Sequence, residues 1–135
     1  MKNRIKDYFK SRKGSGIIEA PYLVLLGMFA VVFFLKASGA YVMKQNLDTY
    51  ANEICRVAEI SGRVGDETTK REEQLNQAMR ISPTVTWSTS GDIQQEVTFT
   101  VTCTDTYELG LFGIVGSWPV TLNGHASGES EVYWK

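Results

Sequence analysis

The pattern of apolar and polar positions changes character twice along this chain. Residues 20–35, APYLVLLGMFAVVFFL, carry no charge, and extending back to Ile17 gives 19 residues interrupted only by Glu19. At a rise of about 1.5 Å per residue, such a helix is about 28 Å long and matches a hydrocarbon core of roughly 30 Å. Beyond Lys36 the period stays helical but becomes one-sided. Met43, Leu47, Tyr50, Ala51, Ile54, Val57 and Ala58 recur at three and four, with Lys44, Asp48, Asn52, Glu53, Arg56 and Glu59 between them. The first helix is therefore expected to run on to about Ile60, with Gly39 tolerated as a bend and Gly62 and Gly65 ending it. A second, mostly polar helix is predicted over about 66–80. Asp66, Glu67, Thr68 and Thr69 supply its cap and first turn, and Leu75, Ala78 and Met79 its short inner face. Its charges Lys70, Arg71, Glu72 and Glu73 read as a solvated face with local pairs.

From Thr84 the code turns to β-branched and aromatic residues. Residues 85–89 form one expected strand and 90–92 a turn. Residues 95–103 alternate strictly, with Val97, Phe99, Val101 and Cys103 on one side, so the two segments make a hairpin. Residues 119–128 and 130–134 suit one or two further strands. Between them, residues 109–118 are apolar, glycine-rich and too short to span. They read either as a loop that packs on a neighbouring subunit or the membrane surface, or as a buried crossover inside the head; the crossover is the preferred expectation, because a small head needs its apolar residues for its own core. The fold class is α+β: a long N-terminal helix, transmembrane in its first half and amphipathic in its second, carrying a small antiparallel β-sheet head.

Charge and composition narrow the function. The chain has 135 residues, 43% hydrophobic and 21% charged, enough for one small domain and one membrane segment. Its net charge of −1 hides an asymmetry, since residues 1–13 carry +5 and the remainder −6. An acidic body lacks the clustered positive face that phosphate binding requires, so no direct nucleic-acid partner is expected. The basic tip precedes the apolar run, and the positive-inside rule places the N-terminus in the cytoplasm and residues 37–135 outside. Catalytic chemistry is sparse. His125 is the only histidine, Gly110, Gly113 and Gly116 lack the Lys-Ser/Thr pair of a phosphate loop, and Cys55 and Cys103 are too few for zinc. No enzyme activity, metal or cofactor is expected.

Three readings of the N-terminal pattern compete: a cleaved secretory signal, with small residues at 37–40, an uncleaved signal anchor, and a third that uses Glu19. Burying that carboxylate in hydrocarbon without a partner costs a few kcal/mol, which makes an intramembrane acid a functional candidate. The alternative is interfacial: Glu19 is two residues into the run, where a helix N-terminus favours an anion by roughly 0.3–1 kcal/mol.

The run Arg12-Lys13-Gly14-Ser15-Gly16-Ile17-Ile18-Glu19 resembles the class III signal of type IV pilin-like proteins: a basic leader ending in Gly, a cut after it, and Glu at the fifth mature position before a long apolar helix. The chain is most similar to Tad-type pseudopilins (TadE-like) and to pilin-like proteins encoded with conjugation machinery in Gram-positive bacteria. The resemblance covers roughly residues 10–36. It implies cleavage between Gly14 and Ser15 by a prepilin peptidase on the cytoplasmic side, and it makes Glu19 an assembly residue. Residues 1–14 become a leader, 15–36 the transmembrane and assembly helix, and 37–135 the extracytoplasmic head. Ser15 is not the Phe common in type IVa pilins, so N-methylation of an aromatic terminus is not implied. The implied partners are the peptidase, an assembly ATPase with its membrane platform, and sister pilins, in a single-pass protein of the bacterial cytoplasmic membrane that joins a surface fibre. The alternative is an unprocessed single-pass anchor bearing a binding module.

The two cysteines fall in the expected exterior, Cys55 on the outer helix and Cys103 on the inward side of a strand. A disulfide would close their loop and contribute roughly 4 kcal/mol in the loop-entropy model. Two buried free thiols are the competing expectation.

Overall fold

In the computed structural model the described residues are 16–110 and 116–133. Helix α1 spans Gly16–Ser61 and α2 spans Asp66–Met79. Three strands, β2 (Thr84–Trp87), β4 (Thr98–Gly110) and β5 (Ser117–Glu129), form an antiparallel sheet in the order β2-β4-β5. Two short strands, β1 (Arg63–Val64) and β3 (Gly91–Asp92), pair as a separate ribbon. The architecture is α+β, with one long apolar helix and small antiparallel sheets. The chain divides into two compact units, one ending at Lys36 and the other beginning at Ala37.

In the first unit, the apolar side chains of α1 from Tyr22 to Leu35 lie mostly in the open, on all sides of the helix. The segment is long and apolar enough to cross a membrane. Such a surface has no polar face to turn to water, so it is compatible with a single-pass anchor.

In the second unit the outer part of α1 supplies the core. Leu47, Tyr50, Ala51, Ile54, Cys55 and Ala58 are buried at the three-and-four spacing of one helical stripe. They meet Leu75 of α2, Ile93 of the β3–β4 connection, and Phe99, Val101, Cys103 and Ala126 of the sheet. Trp87 packs at 6.1 Å from the Phe99 ring.

The sheet accommodates the helix by a size rule across β4 and β5. Phe99 pairs with Gly128, Val101 with Ala126, and Cys103 with Gly124, so each larger core residue of β4 stands beside a small one of β5. The small column gives the helix room. A methyl group at Gly124 would collide with the Leu47 carbonyl group and come within 2.8 Å of the Asp48 amide nitrogen. Four residues further along β5, a methyl at Gly128 would meet the Glu59 carboxylate and sit 2.8 Å from Cys55 Sγ. The outer part of α1 therefore runs alongside β5 in the same direction. Eight helical residues advance about 12 Å and four strand residues about 14 Å, which keeps the two nearly in step.

Several expectations from periodicity need correction. The β2–β4 hairpin exists, with Thr84 opposite Thr104 and Trp87 opposite Val101, but its connection is longer than a turn at 90–92. Gly91 and Asp92 pair instead with Val64 and Arg63, which lets Ile93 enter the core with its amide donating to the Gly62 carbonyl at 2.7 Å. Glu96 then takes a positive φ, so β4 begins at Thr98 and Val97 is exposed rather than inward. Of the expected crossover at 109–118, the described ends are strand instead: Leu109 pairs with Trp118 and Gly110 with Ser117, extending the β4–β5 hairpin, and residues 111–115 lie outside the described residues. After Glu129 the chain leaves the sheet, so the tail adds no further strand among the described residues. Ala78, expected on the inner face of α2, is exposed, whereas Leu75 is buried and Met79 half-buried.

Candidate functional site

The leader junction, Gly14 and Ser15, lies outside the described residues. Glu19 stands half-exposed in the first turn of α1, where the unsatisfied amides of a helix start favour a carboxylate. Directly beyond it comes the apolar surface, Tyr22, Leu23, Val24, Leu25, Leu26, Met28 and onward, with exposures between 45% and 72% for its large residues. One acid followed by an uninterrupted apolar cylinder is a surface compatible with lipid.

The other candidate positions lie in the head. His125 is on the solvent face of the sheet, where its Nδ1 lies 3.0 Å from Thr102 Oγ1. The pair reads as a cross-strand contact. At the end of α1, Glu59, Gln95, Glu96, Glu129, Ser130 and Glu131 line an open recess. Its backbone work is structural. The Glu131 amide donates to the Glu59 carbonyl at 3.2 Å, the Glu129 amide to the Glu59 carboxylate at 3.3 Å, and Gly62, at positive φ, donates to the Ala58 carbonyl at 2.8 Å. The first and the last close carbonyls that a helix end leaves open, and the second ties the Glu59 side chain to β5. Among the described residues, no three His, Cys, Asp or Glu side chains gather as a metal group.

This chain belongs to the DUF4320 family. The family, described as a domain of unknown function, matches residues 24–135. The match takes in the apolar helix from Val24 together with the whole described head. No curated protein and no solved structure matches the chain.

The two cysteines of this DUF4320 chain are free thiols, both buried. Cys103 pairs with Gly124, whereas Cys55 lies under Gly128, so they occupy levels of the sheet about 14 Å apart along β5. A disulfide needs Cα atoms within roughly 7 Å, which this register does not provide. The sequence placed both residues on inward faces but could not say at which level each would sit. Burial, then the charge of Glu59, pushes the Cys55 thiol up to about 11; burial, then Glu72, pushes Cys103 up to about 12. Thiols shifted upward are poor nucleophiles, and these serve as small apolar core residues.

Sequence reasoning assigned Glu72 to a solvated face, and the structure corrects this. Glu72 lies against the buried polar edge of the core, where burial raises its pKa and a hydrogen bond from Trp87 partly offsets that shift. Beside it, Tyr50 donates to Asn76 Oδ1 at 2.9 Å; burial, then Glu72, then Cys103, pushes its hydroxyl up to about 12. Arg71 does behave as a surface residue, pairing with Glu53 at 2.8 Å with both side chains well exposed. The residues that sequence reasoning passed over are Gly124, Ala126 and Gly128. Small residues at alternate strand positions were their signal, since such a column marks where another backbone comes close.

Proposed function

We propose that this DUF4320 chain is a pilin-like structural subunit, without enzymatic activity or cofactor, that a prepilin peptidase processes and a membrane platform with its ATPase assembles into a pilus-like fibre. One observation supports the reading above the others: α1 is apolar and exposed on all sides up to Leu35, then becomes a one-sided stripe buried in the head. The first part suits lipid before assembly and the helices of sister subunits after it, while the second fixes a head to the end of that helix. The basic leader and the Gly-x-x-x-x-Glu spacing from Gly14 to Glu19 support the processing step. The asymmetry of basic residues supports an N-in, C-out orientation in the bacterial cytoplasmic membrane before assembly and a cell-surface fibre afterwards.

On this reading, cleavage after Gly14 removes the +5 leader and creates an ammonium at Ser15 in one step. In hydrocarbon a carboxylate is tolerated when paired, and Glu19 on one subunit facing the Ser15 ammonium of another fixes the register of packed helices. Intact-mass measurement on membrane-extracted protein tests processing, with a chain beginning at Ser15 expected. A mass equal to residues 1–135 instead favours the unprocessed single-pass binding module, and one starting near Ala40 a cleaved secretory signal. Glu19→Gln tests the pairing: it is expected to insert normally and lose most fibre incorporation, with Glu19→Asp losing less. Wild-type incorporation of the Gln variant would reduce Glu19 to an interfacial residue at a helix start.

A further inference from the structure

We propose that the open edge of β5 between Thr121 and Ser127 takes up an extended peptide as an added antiparallel strand, and that this partner carries basic residues at its N-terminal end. The direction of each peptide group in β5 follows from hydrogen bonds beside the ladders. The Ser88 amide donates to the Thr100 carbonyl at 2.9 Å, and the Ser130 amide to the Val97 carbonyl at 3.3 Å. Even-numbered residues of β4 therefore bond toward β2, and odd-numbered ones toward β5. An unbroken register, from Thr98 opposite Glu129 to Gly110 opposite Ser117, carries that phase along the hairpin. Even-numbered residues of β5 thus bond to β4. Thr121, Asn123, His125 and Ser127 turn amide and carbonyl to the other side, where the sheet order ends among the described residues.

Both limits of this edge are built into the chain. Pro119 holds an outward position and has no amide to give. At the other end Glu59 accepts from the outward amides of Glu129 and Glu131, through its carboxylate at 3.3 Å and its carbonyl at 3.2 Å. Sheets that reject an added strand place lysine or a bulge at such an edge. Residues 121–127 have neither, and their register is regular. The helix then selects the kind of strand. α1 lies over β5, with the Leu47 carbonyl group against Gly124. A second copy adding its own β5 antiparallel would bring its α1 onto the same face, above a strand about 4.8 Å away, whereas helices with side chains as long as Lys44 pack about 10 Å apart. A segment with no helix above it fits. Charge sets which end is which. An antiparallel strand begins beside Glu129, in the recess that Glu59, Glu96, Glu129 and Glu131 line together with Gln95 and Ser130. Lysine or arginine in its first positions meets those carboxylates, and main-chain hydrogen bonds hold the rest.

The test uses the full chain in neutral detergent micelles and a synthetic peptide of paired lysines followed by alternating threonine and valine, dye-labelled at its C-terminus. A second version is N-methylated at every amide, and a third carries glutamates in place of the lysines. Fluorescence anisotropy is expected to show saturable binding of the first peptide, loss of binding on N-methylation, and roughly tenfold weaker binding of the glutamate version. Hydrogen exchange is expected to slow over residues 121–127 when the first peptide is bound. No binding of that peptide at about 1 mM would overturn the proposal, as would equal binding of the methylated or the glutamate version. Slow exchange at 121–127 without peptide, in a chain that sediments as a dimer, would assign the edge to a second copy and overturn it too. Neither processing nor fibre assembly enters these readouts, so the proposed function stands or falls separately.

Discussion

Adding a single methyl group at Gly124 tests whether the small column of β5 is what admits the helix. The substitution Gly124→Ala places a carbon against the Leu47 carbonyl group and 2.8 Å from the Asp48 nitrogen, both backbone atoms of α1. Ordinary contact lies between about 3.5 and 4 Å, so helix and sheet must separate by roughly 1 Å, which forfeits a quarter to a half of the dispersion energy wherever the gap opens. Leu47, Ala51, Val101 and Ala126 share that seam. Overpacking ordinarily costs about 1–3 kcal/mol, and the upper end applies because backbone cannot rotate away. Gly128→Ala is the internal comparison. Its methyl meets the ends of the Glu59 and Cys55 side chains, which can swing aside, so about 1 kcal/mol is expected. Gly110→Ala is the control, for nothing lies within 4 Å of the added carbon and a strand tolerates alanine better than glycine. The buried thiols provide the assay, as their labelling across a urea titration in detergent micelles follows opening of the head. In thermal unfolding, a loss of about 3 kcal/mol corresponds to roughly 12–24 °C for a unit of this size. Gly124→Ala as stable as the wild type, or less damaging than Gly128→Ala, would refute the close approach of α1 to β5.

Glu72→Gln is expected to stabilise the head at neutral pH. Its folded carboxyl titrates above the ordinary 4.5, so the folded state holds the proton more tightly and stability falls as pH rises through the interval above 4.5. The variant should lose that dependence and match wild type below pH 4.5; a wild-type slope in the variant would assign it to another group. Thr68→Val, which keeps the shape of a side chain 1% exposed, removes a hydroxyl that accepts from the Gly65 amide at 3.0 Å and donates to the Gly65 carbonyl at 2.7 Å. A loss of about 1–2 kcal/mol in urea unfolding is expected, and no change would show that the cap at the start of α2 is idle. With their pKa values at about 11 and 12 and their side chains buried, Cys55 and Cys103 should resist alkylation in the folded head at pH 8. Unfolding without reductant should release two labelled thiols per chain, and release of none would demand a different register of α1 on β5.

What the sequence by itself determined about this protein is set by local periodicity. A charge-free run at 20–35 requires an apolar environment in any fold, and the stripe from Leu47 to Ala58 requires a cover on one side. The alternation of Phe99, Val101 and Cys103 identifies an inward strand face from spacing alone. The turn at Gly62 that ends α1 and the Gly65–Thr68 cap that starts α2 are local, whereas the Glu59 carbonyl is closed by the Glu131 amide from the far end of the chain. Partner and level were decided by the tertiary structure. Gly91 and Asp92 look like a turn until Val64 and Arg63 arrive beside them, and Glu72 looks solvated until folding half-buries it beside Trp87. The separate depths of Cys55 and Cys103 follow from the match between helical rise along α1 and strand rise along β5. That match depends on contacts distant in sequence, where a shift by one strand residue would exchange the faces of β5 and put the glycine column in water.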